Sequence, residues 1–302
     1  MQPTPHYPDF KPLSLADREQ ITSFLHRSPP VTSELTFTNV FMWRHHYNFQ
    51  WCLGENSLLI IGESDNGHPF ALPPVGQNDL TLPFRRLLDY LSGVTPTPEI
   101  HRVPETLAQG HAKALSLEIE EDRANSDYVY LTESLINLSG RKYHRKRNQL
   151  KQFRNRYPYS YEPLNSRLIE DCLELEEQWC RLRSCSENPA LLNEEQAIRE
   201  ALLHYQELDC QGAAISVDGK VVAFSLGEPL NPDTAVIHIE KANPDFPGSY
   251  AVINQEFCQH AWRDFIYINR EQDLGEPGLQ RAKLSYYPDH MSNKVTLRAR
   301  EN

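Results

Sequence analysis

"AAISVDGKVVAFSLGEPLNPDTAVIHIEKANPDFPGSY", Ala213 to Tyr250, carries more structural information per residue than any other stretch of the chain. Ala213–Val217 and Val221–Leu226 are apolar runs on either side of Asp-Gly-Lys. An Asp-Gly pair takes up the positive φ angles of a tight turn, so the two runs read as a β-hairpin. Thr234–Glu240 is a third strand. "NPDFPGS" then turns the chain, and Tyr250–Trp262 follows with the length and composition of a helix. Three strands, a Gly-containing loop and a helix are thus expected in that order.

Working outward, Phe265–Asn269 reads as a strand, Gly278–Lys283 as a short helix and Lys294–Arg298 as a last strand. Upstream, Arg167–Arg181 places Leu168, Cys172, Leu175 and Trp179 at helical spacing, and Glu194–Leu208 does so with Ile198, Leu202 and Tyr205. The first half runs in a matching order. A helix over Ser14–Arg27 starts at an N-cap Ser14 with Asp17 three residues on. A hairpin (Phe49–Leu53 and Ser57–Gly62), a third strand (Pro69–Leu72), a helix (Leu82–Ser92), a strand (Glu99–Val103), a short helix (Thr106–Leu115) and a strand (Tyr128–Leu131) follow. "EIHRVPETL" takes the place of "FIYINREQDL", and "RANSDYVYLTESL" that of "YPDHMSNKVTLRA". Order, not identity, argues for an internal duplication.

This order is similar to the core of the N-acetyltransferase-like fold. The expected architecture is therefore mixed α/β: two tandem N-acetyltransferase-like domains, residues 1–135 and 136–302, each a mostly antiparallel sheet flanked by helices. In such a fold the loop after the third strand aims backbone N–H groups and the positive end of a helix at a phosphate. Gly248, Ser249 and Tyr250 are the expected donor-binding residues there.

The chain has 302 residues, 39% hydrophobic residues and a net charge of −11, which suits packed cores and disfavours general coating of nucleic acid or membrane. No run approaches the roughly 18 apolar residues of a membrane span. "MQPTPHYPDFKPLSLADRE" has no apolar segment of the secretory type. Cys52, Cys172, Cys180, Cys185, Cys210 and Cys258 show no CxxC spacing, so they read as reduced thiols of a cytoplasmic protein, with no metal site expected. His45 and His46 are adjacent and face apart.

Against that acidic background stands "SGRKYHRKRNQLKQFRNRYP", Ser139 to Pro158. It holds eight of the chain's 30 Lys and Arg and no carboxylate. As a helix it sets Tyr143, Leu150, Phe153 and Tyr157 on one face and cations on the others. Arg141, Lys142, Arg145, Lys146 and Arg147 are the expected polyanion-binding residues, because guanidinium forks match phosphate oxygens. An RNA backbone or anionic lipid headgroups are the expected partners. The alternative is a solvated face.

"YINREQDLGEPGLQRAKLSYYP" (Tyr267–Pro288), "GRKYHRKRNQLKQF" (Gly140–Phe153) and "LTFTNVFMWR" (Leu35–Arg44) resemble signatures of one family. It is the group of soluble proteins related to the C-terminal catalytic domain of phosphatidylglycerol lysyltransferase. The Lys-x-x-x-x-Pro spacing of that enzyme matches Lys283 to Pro288. The resemblance implies the tandem fold and kinship with transferases that carry an amino acid from aminoacyl-tRNA to a lipid or a peptidoglycan precursor.

Three functional readings follow. The first is acyl transfer, an aminoacyl group passing from aminoacyl-tRNA to a lipid or another amine or hydroxyl acceptor. The second is acetyl-CoA-dependent acetylation of a small amine. The third is a non-catalytic polyanion-binding protein. No permanently bound cofactor is expected; aminoacyl-tRNA or acyl-CoA would be a co-substrate. Lys283 is the expected donor-phosphate or oxyanion ligand, with Arg281 beside it. Glu240 and Glu271, at strand ends, are the expected bases, near Asp273. Tyr286 and Tyr287 are candidate general acids, and His238 is expected to be packed.

Overall fold

A computed structural model describes residues 4–299. The chain forms two units, one of residues 4–127, 272–277 and 291–299, the other of residues 128–271 and 278–290. Each contains one seven-stranded sheet.

The first unit holds β1 (Lys11–Pro12), β2 (Gln50–Gly54), β3 (Ser57–Glu63), β4 (Pro69–Ala71), β5 (Glu99–Pro104) and β6 (Leu117–Glu121). The second sheet is built from β7 (Asp127–Leu131), β8 (Tyr159–Pro163), β9 (Gln211–Val217), β10 (Lys220–Asn231), β11 (Thr234–Ala242), β12 (Tyr267–Asn269) and β13 (His290–Ser292). The last strand, β14 (Lys294–Ala299), returns to the first sheet. The strand orders are β1-β2-β3-β4-β5-β14-β6 and, written in the same sense, β8-β9-β10-β11-β12-β7-β13. β4–β5 and β11–β12 are parallel. The other pairs whose register is defined are antiparallel. The expected mixed α/β class, with two mostly antiparallel sheets flanked by helices, is observed.

Position by position, β1 to β5 correspond to β8 to β12. The equivalence crosses over at the next strand. β14 fills in the first sheet the place that β7 fills in the second. The expected division at 135/136 therefore does not follow the sheets. Each half ends in a strand that completes the other half's sheet. Linear order could not disclose this, because the two strands are interchangeable in the sequence alignment of the halves. A buried ion pair marks the crossing. Lys294, which opens β14, places Nζ 2.6 Å from Asp127, which opens β7, and 2.6 Å from Glu34. The Ser33 hydroxyl donates to Asp127 at 2.9 Å. All four residues belong to the first unit.

The hairpin quoted above forms as read. Asp218 and Gly219 take φ of 50° and 77°. The Ser14 N-cap and its capping box with Asp17 also form, at a short 3₁₀ turn (Leu15–Asp17) that leads into the helix Arg18–Arg27. The aromatic stretch near the N-terminus contributes the helix Phe37–Met42. β1, β6, β8 and β13 were not expected: β1 and β13 have two and three residues, and neither β6, mostly exposed, nor β8, without a buried residue, has a continuous apolar run.

One expectation about the cysteines is corrected. Cys180 and Cys185 are disulfide-bonded, S–S 2.12 Å. The helix Ser166–Arg183 ends at Ser184 in the left-handed region, φ 51°, and this turn brings the two Cα atoms to 5.0 Å, within bridging range. Cys52, Cys172, Cys210 and Cys258 are free and buried. Among the described residues no helix is long and apolar enough to cross a membrane.

Candidate active site

The parallel strands β11 and β12 pair over only three positions, Thr234 with Tyr267, Ala235 with Ile268 and Val236 with Asn269. Beyond them β11 runs on to Ala242 while the chain after β12 turns away; Glu271 has φ 58°. His238 and Glu240 alternate along the unaccompanied part of β11. Charged contacts join this part of β11 to the turn after β12. His238 donates to Glu271 at 2.8 Å and, through its other nitrogen, to Glu228 of β10 at 2.9 Å. Arg270 donates to Glu240 at 2.9 Å. Burial disfavours charge on His238, but Glu228 and Glu271 outweigh it and raise the imidazole to about 10, so the ring is an imidazolium.

The second oxygen of Glu240 accepts from Asn254, at 3.0 Å, on the helix Ser249–Ala261. Glu240 is thus already a hydrogen-bond acceptor on both oxygens. Glu271 is clamped to His238, and its backbone N–H donates to the Asn269 side chain at 2.7 Å. Lys283 departs from its expected place. It is buried, and its ammonium donates to the backbone carbonyls of Arg270 and Glu271, the latter at 3.2 Å. It fastens the turn that presents those two side chains. Its own carbonyl accepts from the Tyr130 hydroxyl at 2.8 Å. Arg281 is exposed on the helix Pro277–Leu284. Asp273 is buried in the other unit, 3.4 Å from Arg123. Tyr286 is buried and Tyr287 exposed; burial raises the Tyr286 phenol, which makes it a weaker proton donor.

The basic segment is a 3₁₀ turn (Arg141–Tyr143) followed by the helix His144–Arg156, with Tyr143, Leu150 and Phe153 buried. Its five expected polyanion ligands fall into two groups. Arg141, Lys142 and Arg145 are exposed and have no carboxylate partner among the described residues. Lys142 lies over the Tyr287 ring at 5.2 Å. Arg147 instead donates to the Leu138 and Gly140 carbonyls, closing the turn before the helix. Lys146 turns inward over the Tyr286 ring, 3.7 Å from its centroid. The Arg270 guanidinium lies 4.7 Å from the centroid of that same ring. The basic helix therefore reaches the β11–β12 opening through Lys146. Burial and Arg270 lower the Lys146 ammonium to about 8, with Glu240 opposing.

The expected phosphate loop is packed. Gly248 has φ 99°, and a Cβ there would lie 2.8 Å from the Gln149 carbonyl oxygen and 3.1 Å from Phe153 Cβ. The loop thus rests on the basic helix. Ser249 is buried and donates to the Asn243 carbonyl at 3.3 Å. The Tyr250 hydroxyl accepts from Trp179 at 3.2 Å.

Arg270, Tyr130 and Asn254 were not singled out in the sequence. Arg270 stands between Asn269 and Glu271 in "YINREQD", where carboxylates drew attention as bases. The available signal was its place one residue past a strand end, next to a candidate base.

Comparison with known proteins bears on the fold and the family. A conserved protein of unknown function from Bacteroides thetaiotaomicron is 35% identical, with 96% of this chain and 99% of that one covered and a TM-score of 0.90. The C-terminal domain of a putative lysylphosphatidylglycerol synthetase from Agrobacterium fabrum is 15% identical, covers 95% and 92%, and has a TM-score of 0.69, a likeness of fold. An uncharacterised protein of Mycoplasmoides gallisepticum is 22% identical over 176 residues, which span 58% of this chain and 56% of that protein. The family model described as "Phosphatidylglycerol lysyltransferase, C-terminal" matches residues 26–297, and the chain belongs to that family.

Proposed function

We propose that the protein is an acyltransferase that moves an aminoacyl group from aminoacyl-tRNA to a lipid or another hydroxyl or amine acceptor. Family membership supports a transferase. The observation that carries the finer reading is the continuity from exposed cations to the opened sheet. Arg141 and Arg145 lie on the surface, Lys146 turns in over Tyr286, and Arg270 on the same ring is tied to Glu240. A polyanionic donor held on the basic segment would have its reactive end near Glu240. The acyl carbon would leave the ribose oxygen and bond to the acceptor oxygen or nitrogen. The acceptor proton would pass to Glu240, and the ribose oxygen would take up a proton from solvent. In this reading Lys283 and His238 hold Arg270 and Glu271 in place and touch no substrate. No resident cofactor is invoked; the donor is a co-substrate.

Transfer from acyl-CoA is less well supported, because the turn at Gly248 packs against Gln149 and Phe153 where a phosphate loop would stay open. The test incubates the full chain with tRNA carrying labelled amino acids plus a total lipid extract, and in parallel with labelled acetyl-CoA plus small amines. The expected result is label leaving tRNA for a stable product, slowed about a hundredfold or more by Glu240→Gln. Label leaving only acetyl-CoA favours acetylation. Label leaving neither, with tRNA bound, favours a binding protein.

A further inference from the structure

Charge near Tyr286 does not balance. The charged groups facing Lys146 are Arg270, Glu240 and its helix neighbour Arg145. Glu240 is the one carboxylate among them. One of its oxygens is taken by Arg270 and the other by Asn254, a neutral amide. Two inward cations therefore share a single anion. The Arg270 side chain is 12% exposed, and its Nη1 is buried with no hydrogen-bond partner. A guanidinium so placed costs free energy until an acceptor meets it. Burial first, and Arg270 second, make Lys146 hold its proton less firmly than a free lysine.

We infer that Lys146 and Arg270 form a binding site for one phosphate group of a ligand, walled by the rings of Tyr286 and Tyr130. Lys146 is half-buried and supplies an ammonium over the Tyr286 ring; Arg270 supplies the unpartnered Nη1 on the same ring. A phosphate suits them better than a carboxylate, because the exposed Arg141, Lys142 and Arg145 nearby in sequence favour a ligand that carries further negative charge. The transferase reading gives the site its use, since a phosphate of the donor or of the acceptor would be seated there. Binding is measurable without turnover.

The experiment titrates the full-length protein with methyl phosphate and with acetate by calorimetry, while Lys146 is followed by NMR in lysine-labelled protein and assigned with Lys146→Gln. Methyl phosphate is expected to move the Lys146 titration up by a unit or more. By linkage its affinity then falls roughly fivefold between pH 7 and pH 9. Lys146→Gln weakens it about tenfold or more, whereas Arg141→Gln with Arg145→Gln changes it less than about threefold. Glycerophosphoglycerol and AMP separate a lipid headgroup from a nucleotide as the source; tighter binding of either than of methyl phosphate supports the site. Unchanged Lys146 titration, equal affinity in Lys146→Gln, or acetate binding as tightly as methyl phosphate overturns the proposal. Label transfer from tRNA that persists beside such a result leaves the transferase reading standing. Phosphate binding as expected with no transfer from any donor leaves the site and removes that reading.

Discussion

His238 is a buried side chain between two carboxylates, and its charge ties folding to pH. Its folded-state value, about 10, lies above the unfolded value of about 6.5. A raised histidine contributes fully below the unfolded value and loses its contribution as pH rises through the folded one. Stability should therefore decline from about pH 6.5 to pH 10, by a few kcal/mol at about 1.4 kcal/mol per unit. Urea unfolding across that range checks this, and His238→Gln should flatten the curve. Lys283 makes a different demand. Its ammonium satisfies two part-buried backbone carbonyls, so Lys283→Met should cost about 1–3 kcal/mol by leaving those acceptors unmet. Any loss of turnover should then follow loss of fold. A Lys283→Met protein of full stability and no activity would restore the residue to direct contact with substrate.

At the scale of elements, Gly248 sets how the helix Ser249–Ala261 meets the basic helix. Gly248→Ala would need a φ of 99° that alanine resists, and its methyl carbon would crowd the Gln149 carbonyl. The expected loss is about 2–4 kcal/mol, read as a lower thermal midpoint. A change below about 0.5 kcal/mol would show that the two helices do not hold each other. Most elements of this kind were legible in the sequence. The Asp-Gly hairpin, the Ser14 capping box and the helix bearing Leu168, Cys172 and Leu175 rest on local chemistry that sequence states directly. The site was legible only in part. Glu240 and Glu271 were named as bases because strand ends in this fold face the opening, and each is held there by a charged partner. Their partners Arg270 and His238 were not assigned those roles, because an ion pair across diverging strands depends on where the strands part. Lys283 was read as a donor-phosphate or oxyanion ligand, since nothing local announces that two carbonyls thirteen and twelve residues earlier receive its ammonium. The Cys180–Cys185 bond was missed for a similar reason: it depends on the left-handed turn at Ser184.

At the scale of the whole molecule, the exchange of β7 and β14 decides which pieces can fold. A fragment of residues 136–302 looks like a complete half by the order of its elements. It lacks β7, the strand that pairs with Tyr267–Asn269 and carries Tyr130, whose hydroxyl holds the Lys283 carbonyl. It also carries β14 without β5 and β6, the strands that take up its backbone hydrogen bonds. Its second sheet would have β12 left as an edge, and β14 would expose Val295 and Leu297, both buried in the intact chain. Unpaired edges with apolar side chains favour aggregation over a native state. Residues 136–302 alone should show no cooperative unfolding transition. Extending the fragment back to residue 126 should restore the second sheet and a sigmoidal urea curve, although β14 remains unpaired. Residues 1–135 should fail in the complementary way, for want of β14 between β5 and β6. A sharp, reversible transition in the 136–302 fragment, with the near-ultraviolet signal of packed aromatic rings, would mean that β7 is dispensable. The two sheets would then be separable at the boundary that linear order suggested.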